Sequence, residues 1–219
     1  MAARVGVLSL QGDFARHPAT LEALGVDVHA VRLPDDLEDL DALVMPGGES
    51  TTMLRLIEDY ALREPLARFV CSKPVLGTCA GVILLGKDGQ HLPSPPLGVL
   101  DISVARNAYG RQIDSFSAEV DAPPLGGRFH AVFIRAPRLA PPGPQVEIVA
   151  RRLPEAGGEA VGVRQGKVVG LCFHPELTSD TRFHRWFLTE VAGLVLPGLP
   201  PLTAGPDGPR VVAAGGNPA

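Results

Sequence analysis

The residues best suited to covalent chemistry lie around Cys79. An apolar segment at 74–76 precedes this cysteine and another at 80–85 follows it. Their lengths predict a buried parallel strand and a buried helix, with Cys79 on the turn between them. Gly77 and Gly81 stand two residues to either side, which allows a strained residue at the turn without steric conflict. A cysteine there would project clear of the sheet as a nucleophile.

The helix predicted to begin at Ala80 would also activate the sulfur of Cys79. The free N–H groups of its first turn and the positive end of its dipole would face the sulfur and favour thiolate over thiol. A lone cysteine beside apolar segments is, however, commonly an inert core residue. The interpretation as a nucleophile therefore requires a base, a group that orients the base, and donors for an oxyanion elsewhere in the chain.

A candidate base follows another apolar segment, the strand predicted from residue 168. His174 and Glu176 are two residues apart. If the extended conformation continues, both side chains project to the same side, and Glu176 can fix the tautomer and orientation of the imidazole. A purely local hydrogen bond is the alternative for this pair. The other histidines lack a comparable setting and are interpreted as surface or structural residues: His17, His29, His91, His130 and His184. The other two cysteines, Cys71 and Cys172, are interpreted as core residues.

Two loops carry groups that could bind a substrate. The segment at 46–52 places Gly47 and Gly48 after a predicted strand and offers Ser50 or Thr51 as a cap for the next helix. At that edge of an open α/β sheet, the glycines could turn a backbone N–H towards a substrate oxygen, although a plain turn also explains them. The segment at 106–112 concentrates cations, amides and a tyrosine, where a solvated turn is again the alternative.

Strand and helix patterns alternate along the 219 residues and predict one α/β domain. Strands are expected at 4–10, 26–33, 41–46, 74–76, 97–104 and 168–173, and helices near 18–24, 53–60 and 180–194. Strand-like segments between 115 and 164 predict an antiparallel extension of the sheet. The expected domain covers residues 1–196, and residues 197–219, rich in proline and glycine, form an expected mobile tail.

Composition excludes several classes of protein. The formal net charge of −4 leaves no basic stripe for a phosphate backbone, so nucleic acid is not an expected partner. The start of the sequence does not read as a signal peptide and no apolar run has membrane-spanning length, so a cytoplasmic location without membrane association is expected. Three cysteines without disulfide or zinc spacing predict reduced thiols.

Taken together, the motifs at 77–81, 46–51 and 174–176 resemble those of the triad glutamine amidotransferases, the class I glutaminases. Five segments narrow the resemblance to the glutaminase subunits of pyridoxal 5′-phosphate synthase: 8–12, 46–53, 106–112, 133–137 and 173–178. The similarity spans about residues 4 to 194. It implies a flavodoxin-like α/β fold, an open and mostly parallel sheet with helices on both faces and a small antiparallel extension.

The resemblance also implies the activity and the residues that carry it. L-Glutamine would be hydrolysed to glutamate and ammonia without a cofactor or metal. Cys79 would be the nucleophile, His174 the base and Glu176 the residue that orients the base. The oxyanion would be held by backbone N–H groups of Ala80 and Gly48, and Gln11 is a candidate for gating one of these donors. Positions that match the family's glutamine-binding residues are Gly48, Glu49, Ser50, Arg106, Ile134 and Arg135.

The expected partner is a synthase subunit with a (β/α)₈ barrel, which would receive the ammonia within a large ring complex. Two other interpretations stay open. The chain could serve a different synthase, such as an imidazole- or anthranilate-forming one, which the segments at 106–112 and 134–135 argue against. It could instead be a flavodoxin-like thiol sensor or scaffold, for which His174 and Glu176 would not be needed.

Overall fold

The structure, a computed structural model, describes residues 2–12, 15–89, 92–106, 115–196 and 198–199. Five strands form the parallel half of its main sheet in the order β2-β1-β3-β4-β12. The strands are β1 (Arg4–Leu8), β2 (Asp27–Val31), β3 (Ala42–Met45), β4 (Val75–Thr78) and β12 (Val168–Leu171). Every residue of β3, β4 and β12 is buried, as expected for central parallel strands that are covered on both faces.

Four antiparallel strands continue the same sheet beyond β12 in the order β11-β10-β7-β8. They are β7 (Ser115–Ala122), β8 (Gly127–Ile134), β10 (Glu147–Arg152) and β11 (Ala160–Gln165). A separate small sheet contains β5 (Gly86–Gly89), β6 (Leu100–Ala105) and β9 (Arg138–Leu139). The predicted α/β fold with an antiparallel extension is confirmed.

Helices flank the sheet and follow its strands. They are α1 (Arg16–Ala23), α2 (Ser50–Asp59), α3 (Arg63–Ser72), α4 (Ala80–Leu85) and α5 (Arg182–Trp186), and α5 continues as a π-helical turn at Phe187–Val191. Among the described residues, 3₁₀ turns lie at Pro34–Leu37, Pro123–Leu125, Pro154–Ala156 and Pro175–Leu177. The final helix begins at Arg182 with Thr181 as its N-cap, close to the predicted start, but it does not remain α-helical.

Several local predictions are wrong. The cap of α2 is Glu49, not Ser50 or Thr51: its carboxylate accepts the backbone N–H groups of residues 51 and 52 at 3.0 and 2.7 Å. Tyr60, the last residue of the predicted helix, is exposed and lies beyond the end of α2 at Asp59. Cys71 is exposed on α3, whereas Cys172 lies in the core as predicted. The domain boundary stays a prediction, since most of the segment at 197–219 lies outside the described residues.

The turn around Cys79 depends on an unusually close approach of α4 to the sheet. A Cβ atom added at Gly81 would lie 2.0 Å from the carbonyl oxygen of Met45 in β3, and one added at Gly77 would lie 2.7 Å from the backbone of Gly81. Real Cβ atoms do not come this near backbone atoms. Only glycine at both positions therefore lets α4 begin at the carboxyl edge of β3 and β4.

This packing predicts that Gly81→Ala destabilises the fold. The methyl group would force α4 away from β3, and we expect the free energy of unfolding to fall by about 1–3 kcal/mol, measured by denaturant unfolding. Ala61→Gly is the matched control. Ala61 is exposed with a φ of 55°, so glycine there relieves backbone strain and should not lower stability. Equal midpoints for Gly81→Ala and the parent would refute the close-packing argument.

Candidate active site

Cys79 occupies a strained turn at the carboxyl edge of the sheet. Its φ of 49° and ψ of −106° fall in a region that non-glycine residues rarely adopt, and such strain concentrates at functional sites. The backbone N–H of Cys79 donates to the carbonyl of Leu171 at 2.8 Å, which ties the turn to β12. The sulfur lies 3.7 Å from the carbonyl oxygen of Ile134, at the end of β8. Cys79 is thus held between the two halves of the sheet.

His174 and Glu176 come together as predicted, but by a different local structure. The chain does not stay extended after β12, because Pro175–Leu177 forms a 3₁₀ turn. Within that turn His174 Nδ1 lies 2.7 Å from Glu176 Oε1. The backbone N–H of His174 donates to the carbonyl of Val132 at 2.8 Å, so β8 fixes the base as well. The assumption of an extended chain was wrong, although the contact that it predicted is present.

Burial and mutual contact set the ionisation of this pair. Burial alone would lower the pKa of His174, but its contacts with Cys79 and Glu176 outweigh burial and raise that pKa to about 10. Burial would raise the pKa of Glu176, but contacts with His17 and His174 hold it well below its usual value. Among the residues that the structure describes, the buried His174 Nε2 makes no hydrogen bond. At a pKa of about 10, His174 carries a proton at neutral pH, so its Nε2 holds a proton next to the cavity rather than a free lone pair.

Glycines bring three loops into contact around the pair. A Cβ atom at Gly47 would lie 2.4 Å from His174 Cε1 and 3.3 Å from the Cβ of Cys79, so Gly47 packs against both side chains. Gly12, at a φ of 99°, brings its backbone so close that a Cβ atom there would lie 2.4 Å from the carbonyl oxygen of Gly47. Gln11 Oε1 accepts the backbone N–H of Glu49 at 2.7 Å. The loop after β1 thus braces the glycine turn after β3.

A cavity of about 290 Å³ opens at this edge of the sheet. Every candidate residue named from the sequence lines it: Gln11, Gly48, Glu49, Ser50, Cys79, Ala80, Arg106, Ile134, Arg135, His174 and Glu176. Gly47, named from the sequence with Gly48, also lines it, as do Gly12, Ile83 and Leu177, which were not among the predicted site residues. The size and the polar wall suit a small polar ligand.

Opposite charges meet on the wall of this cavity. Arg106 Nη2 lies 3.0 Å from Glu49 Oε1. Burial would raise the pKa of Glu49, but the hydrogen bonds from the start of α2 outweigh burial and lower it to about 2. Arg135 is exposed and carries a strained φ of 43°. The remaining predicted segment, residues 107–112, lies outside the described residues.

Sequence reasoning missed a buried polar group behind Glu176. His17 and His184 are both completely buried, and His17 Nε2 lies 3.3 Å from Glu176 Oε2. The two histidines were interpreted as surface or structural, which overlooked this contact. The available signal was position: His17 follows the carboxyl end of β1, as Gln11 does, and so belongs to the edge where the other candidates meet.

Other kinds of site are not found within the described ranges. No group of three or more metal-ligating side chains among those residues could hold a metal ion. None of the helices there has the length and apolar character needed to cross a membrane.

Comparison with known proteins identifies close relatives. A family model described as the SNO glutamine amidotransferase family matches residues 7–193. The pyridoxal 5′-phosphate synthase subunit PdxT of Thermosipho africanus is 47% identical over 189 residues, which cover 86% of this chain and 98% of the relative. The PdxT subunit of Koribacter versatilis is 50% identical over 188 residues, covering 86% of this chain and 95% of the relative.

Solved structures share the fold. A crystal structure of a glutamine amidotransferase superposes with a TM-score of 0.80 at 47% identity, covering 87% of this chain and 99% of that one. The PurLQS structure from Thermotoga maritima superposes with a TM-score of 0.68 at 18% identity, covering 87% of this chain and 99% of that one. The second likeness concerns the fold alone.

The contact between His174 and Cys79 can be tested by titration. We expect the pKa of His174 to fall in Cys79→Ala, because the substitution removes one of the contacts that outweigh burial. NMR titration of the imidazole Cε1–H measures this pKa, with Cys71→Ala, an exposed cysteine on α3, as the control that should leave it unchanged. An unaltered pKa in Cys79→Ala would contradict the contact.

The same shift has a consequence for stability. The folded pKa of His174 lies above the ordinary value of 6.5. Its charged form therefore stabilises the fold fully below pH 6.5, and this contribution is lost as the pH rises towards 10. We expect that loss to be smaller in Cys79→Ala than in the parent.

Proposed function

The chain belongs to the SNO glutamine amidotransferase family, and we propose that it hydrolyses L-glutamine through a triad of Cys79, His174 and Glu176. It is a glutamine amidotransferase subunit of pyridoxal 5′-phosphate synthase, whose glutamine hydrolysis serves vitamin B6 synthesis. The observation that carries the triad is the 2.7 Å contact between His174 and Glu176 beside a cysteine held at positive φ.

The proposed reaction uses each member of the triad in turn. His174 Nε2 takes the thiol proton before Cys79 Sγ attacks the side-chain amide carbon of glutamine, which leaves His174 as the imidazolium that its raised pKa favours. The tetrahedral intermediate collapses, the C–N bond breaks, and His174 returns the proton to the leaving nitrogen as ammonia departs. A water molecule, deprotonated by His174, then cleaves the thioester and releases glutamate. Glu176 holds the proton of His174 on Nδ1, so that Nε2 faces the sulfur as a base.

Backbone N–H groups of Ala80 and Gly48 are the proposed oxyanion donors. Ala80 opens α4 directly after the nucleophile, and Gly48 lies on the turn that packs against Cys79 and His174. Each such donor contributes about 3–4 kcal/mol of transition-state stabilisation in comparable sites. The absence of a side chain at Gly48 suits a close approach by substrate, since a Cβ atom there would already lie 2.7 Å from Gln11 Oε1.

Charged groups of the cavity match the ends of an amino acid. A free glutamine carries an α-ammonium and an α-carboxylate, and we assign the former to Glu49 and the latter to Arg106 and Arg135. Glu49 stays ionised because its pKa is lowered to about 2. The backbone at Ile134 and the side chain of Ser50 complete the proposed binding set, since both line the cavity.

The proposed setting is a complex with the synthase subunit of the same enzyme. Relatives of this chain are named as subunits of that synthase. We infer that the partner is a (β/α)₈ barrel in a large ring complex and that residues 1–196 are the domain that docks on it. A cytoplasmic location is part of the same proposal, because three cysteines in the described structure are free and the cytoplasm keeps thiols reduced.

Replacing the nucleophile tests the triad. Cys79→Ala should abolish glutamate formation while leaving the unfolding midpoint close to the parent's, because it deletes the sulfur without adding volume. Cys71→Ala is the matched control, since that cysteine is exposed and should not affect turnover. Glutamate production at saturating glutamine, with the synthase subunit present, provides the measurement. Hydrolysis by Cys79→Ala at the parent's rate would rule out the assigned nucleophile.

The proposed gate predicts slow hydrolysis by the isolated chain. Gln11 accepts a hydrogen bond from the turn that carries Gly48, and the neighbouring Gly12 lowers the cost of rotating a peptide bond in the loop after β1. Docking of the partner could therefore expose or withdraw one oxyanion donor by such a rotation. Loss of about 3–4 kcal/mol corresponds to a deficit of a hundredfold or more. Glutamate production by the purified chain should therefore rise by about that factor when the synthase subunit is added. Equal rates with and without it would exclude gating and leave the triad proposal intact.

A further inference from the structure

A chain of buried polar side chains continues from Glu176 into the core. His17, near the start of α1, has its Nε2 3.3 Å from Glu176 Oε2 and also 3.3 Å from Thr78 Oγ1. Its Nδ1 lies 3.0 Å from Nε2 of His184 in α5. Thr78, His17 and His184 are all completely buried. The mechanism proposed above uses none of these three groups, although burying polar groups is costly unless their contacts compensate.

Proton positions in this chain follow from a nitrogen without a partner. Within the described part of the molecule, His184 Nδ1 is buried and makes no hydrogen bond. A buried N–H without an acceptor is rarer than a buried acceptor without a donor, so His184 carries its proton on Nε2. Burial also lowers the pKa of His184 to about 3, which keeps it neutral. His184 then donates to His17 Nδ1, which leaves the proton of His17 on Nε2.

The N–H of His17 therefore lies next to two residues of the site. Its Nε2 is 3.3 Å from the hydroxyl oxygen of Thr78, the residue before the nucleophile, and also 3.3 Å from Glu176 Oε2. The two oxygens of Glu176 therefore differ: Oε1 accepts from His174 Nδ1 at 2.7 Å, whereas Oε2 makes no hydrogen bond among the described residues and has His17 Nε2 as an electrostatic contact at 3.3 Å. A buried carboxylate with only one such neighbour would be free to turn away from the base or to take up a proton.

We propose that His17, held in turn by His184, is a positioning residue that fixes the carboxylate of Glu176 so that Oε1 stays on His174 Nδ1. This inference rests on the proposed triad and adds a residue to it. His17 touches neither the cavity nor a reacting atom, so its effect must pass through Glu176. Loss of the contact should therefore lower kcat and leave KM for glutamine nearly unchanged.

Two amide substitutions separate positioning from simple filling of space. The amide nitrogen of glutamine reaches the place of imidazole Nε2, whereas that of asparagine reaches only the place of Nδ1. His17→Gln should keep kcat within about threefold of the parent, and His17→Asn should lose about 10- to 100-fold, because it withdraws the N–H that lies 3.3 Å from a buried carboxylate oxygen. The assay is glutamate formation with the synthase subunit present. Equal kcat for the two variants would overturn the proposal.

A surface histidine offers the matched control. His130 Nδ1 lies 2.9 Å from Glu119 Oε1, which is the same pair of groups in an exposed setting on β7 and β8. We expect His130→Asn to retain the parent's kcat. A loss in His130→Asn as large as that in His17→Asn would remove the link between the effect and the buried contact.

A double-mutant cycle tests whether His17 acts through Glu176. The double variant His17→Asn/Glu176→Gln should be no slower than Glu176→Gln alone, because the group that His17 positions is already altered. A further loss by the factor seen for His17→Asn alone would show independent action and overturn the proposal. If His17→Asn does not fold, the cycle is run with His184→Asn, whose amide nitrogen cannot reach the place of Nε2; we expect it to reduce kcat in the parent and to add no loss in Glu176→Gln.

Cys79→Ala measured beside these variants separates the two proposals. If Cys79→Ala is inactive and His17→Asn matches the parent, the inference about His17 fails and the triad stands. If Cys79→Ala hydrolyses glutamine at the parent's rate, the triad itself fails.

Discussion

The buried carboxylate of Glu176 is the constraint on which the rest of the site depends. Its side chain is only 2% exposed, and a carboxylate removed from water is stable only when other groups replace the solvent. His174 lies at one oxygen and His17 at the other. These two residues come from the end of β12 and the start of α1, so satisfying one charge fixes two distant segments of the chain against each other.

Close packing at glycines supplies the second condition. The strained φ of Cys79 persists only because neighbouring structure over-determines it. Gly81 lets α4 approach Met45, and Gly47 lets the turn after β3 press against His174 and Cys79. A methyl group at either glycine would separate elements whose spacing sets the distance between nucleophile and base. The glycines thus allow the close spacing between strands, helix and turn that gives the cavity its shape.

Much of this arrangement could be predicted from the sequence, and the misses have physical reasons. Spacing around Cys79 and the pairing of His174 with Glu176 are local features that hydrophobic patterns and residue types reveal. The cap by Glu49 was missed because serine and threonine are more usual N-cap residues than glutamate, and both follow Glu49 directly in the sequence. His17 was missed because its partner lies far along the chain, and nothing in its immediate sequence marks complete burial. Long-range contacts of this kind require the folded topology.

The antiparallel half of the sheet is part of the site rather than an appendage to it. The parallel half contributes the turn at Cys79, but β8 accepts the backbone N–H of His174 through Val132 and places the Ile134 carbonyl 3.7 Å from the sulfur. Arg135 follows at once in a strained conformation on the cavity wall. Although β8 is the edge strand of the main sheet, four strands beyond β12, its end still contacts the site. The parallel half of the sheet alone would hold the nucleophile. The antiparallel extension anchors the base through Val132 and adds Ile134 and Arg135 to the wall of the cavity.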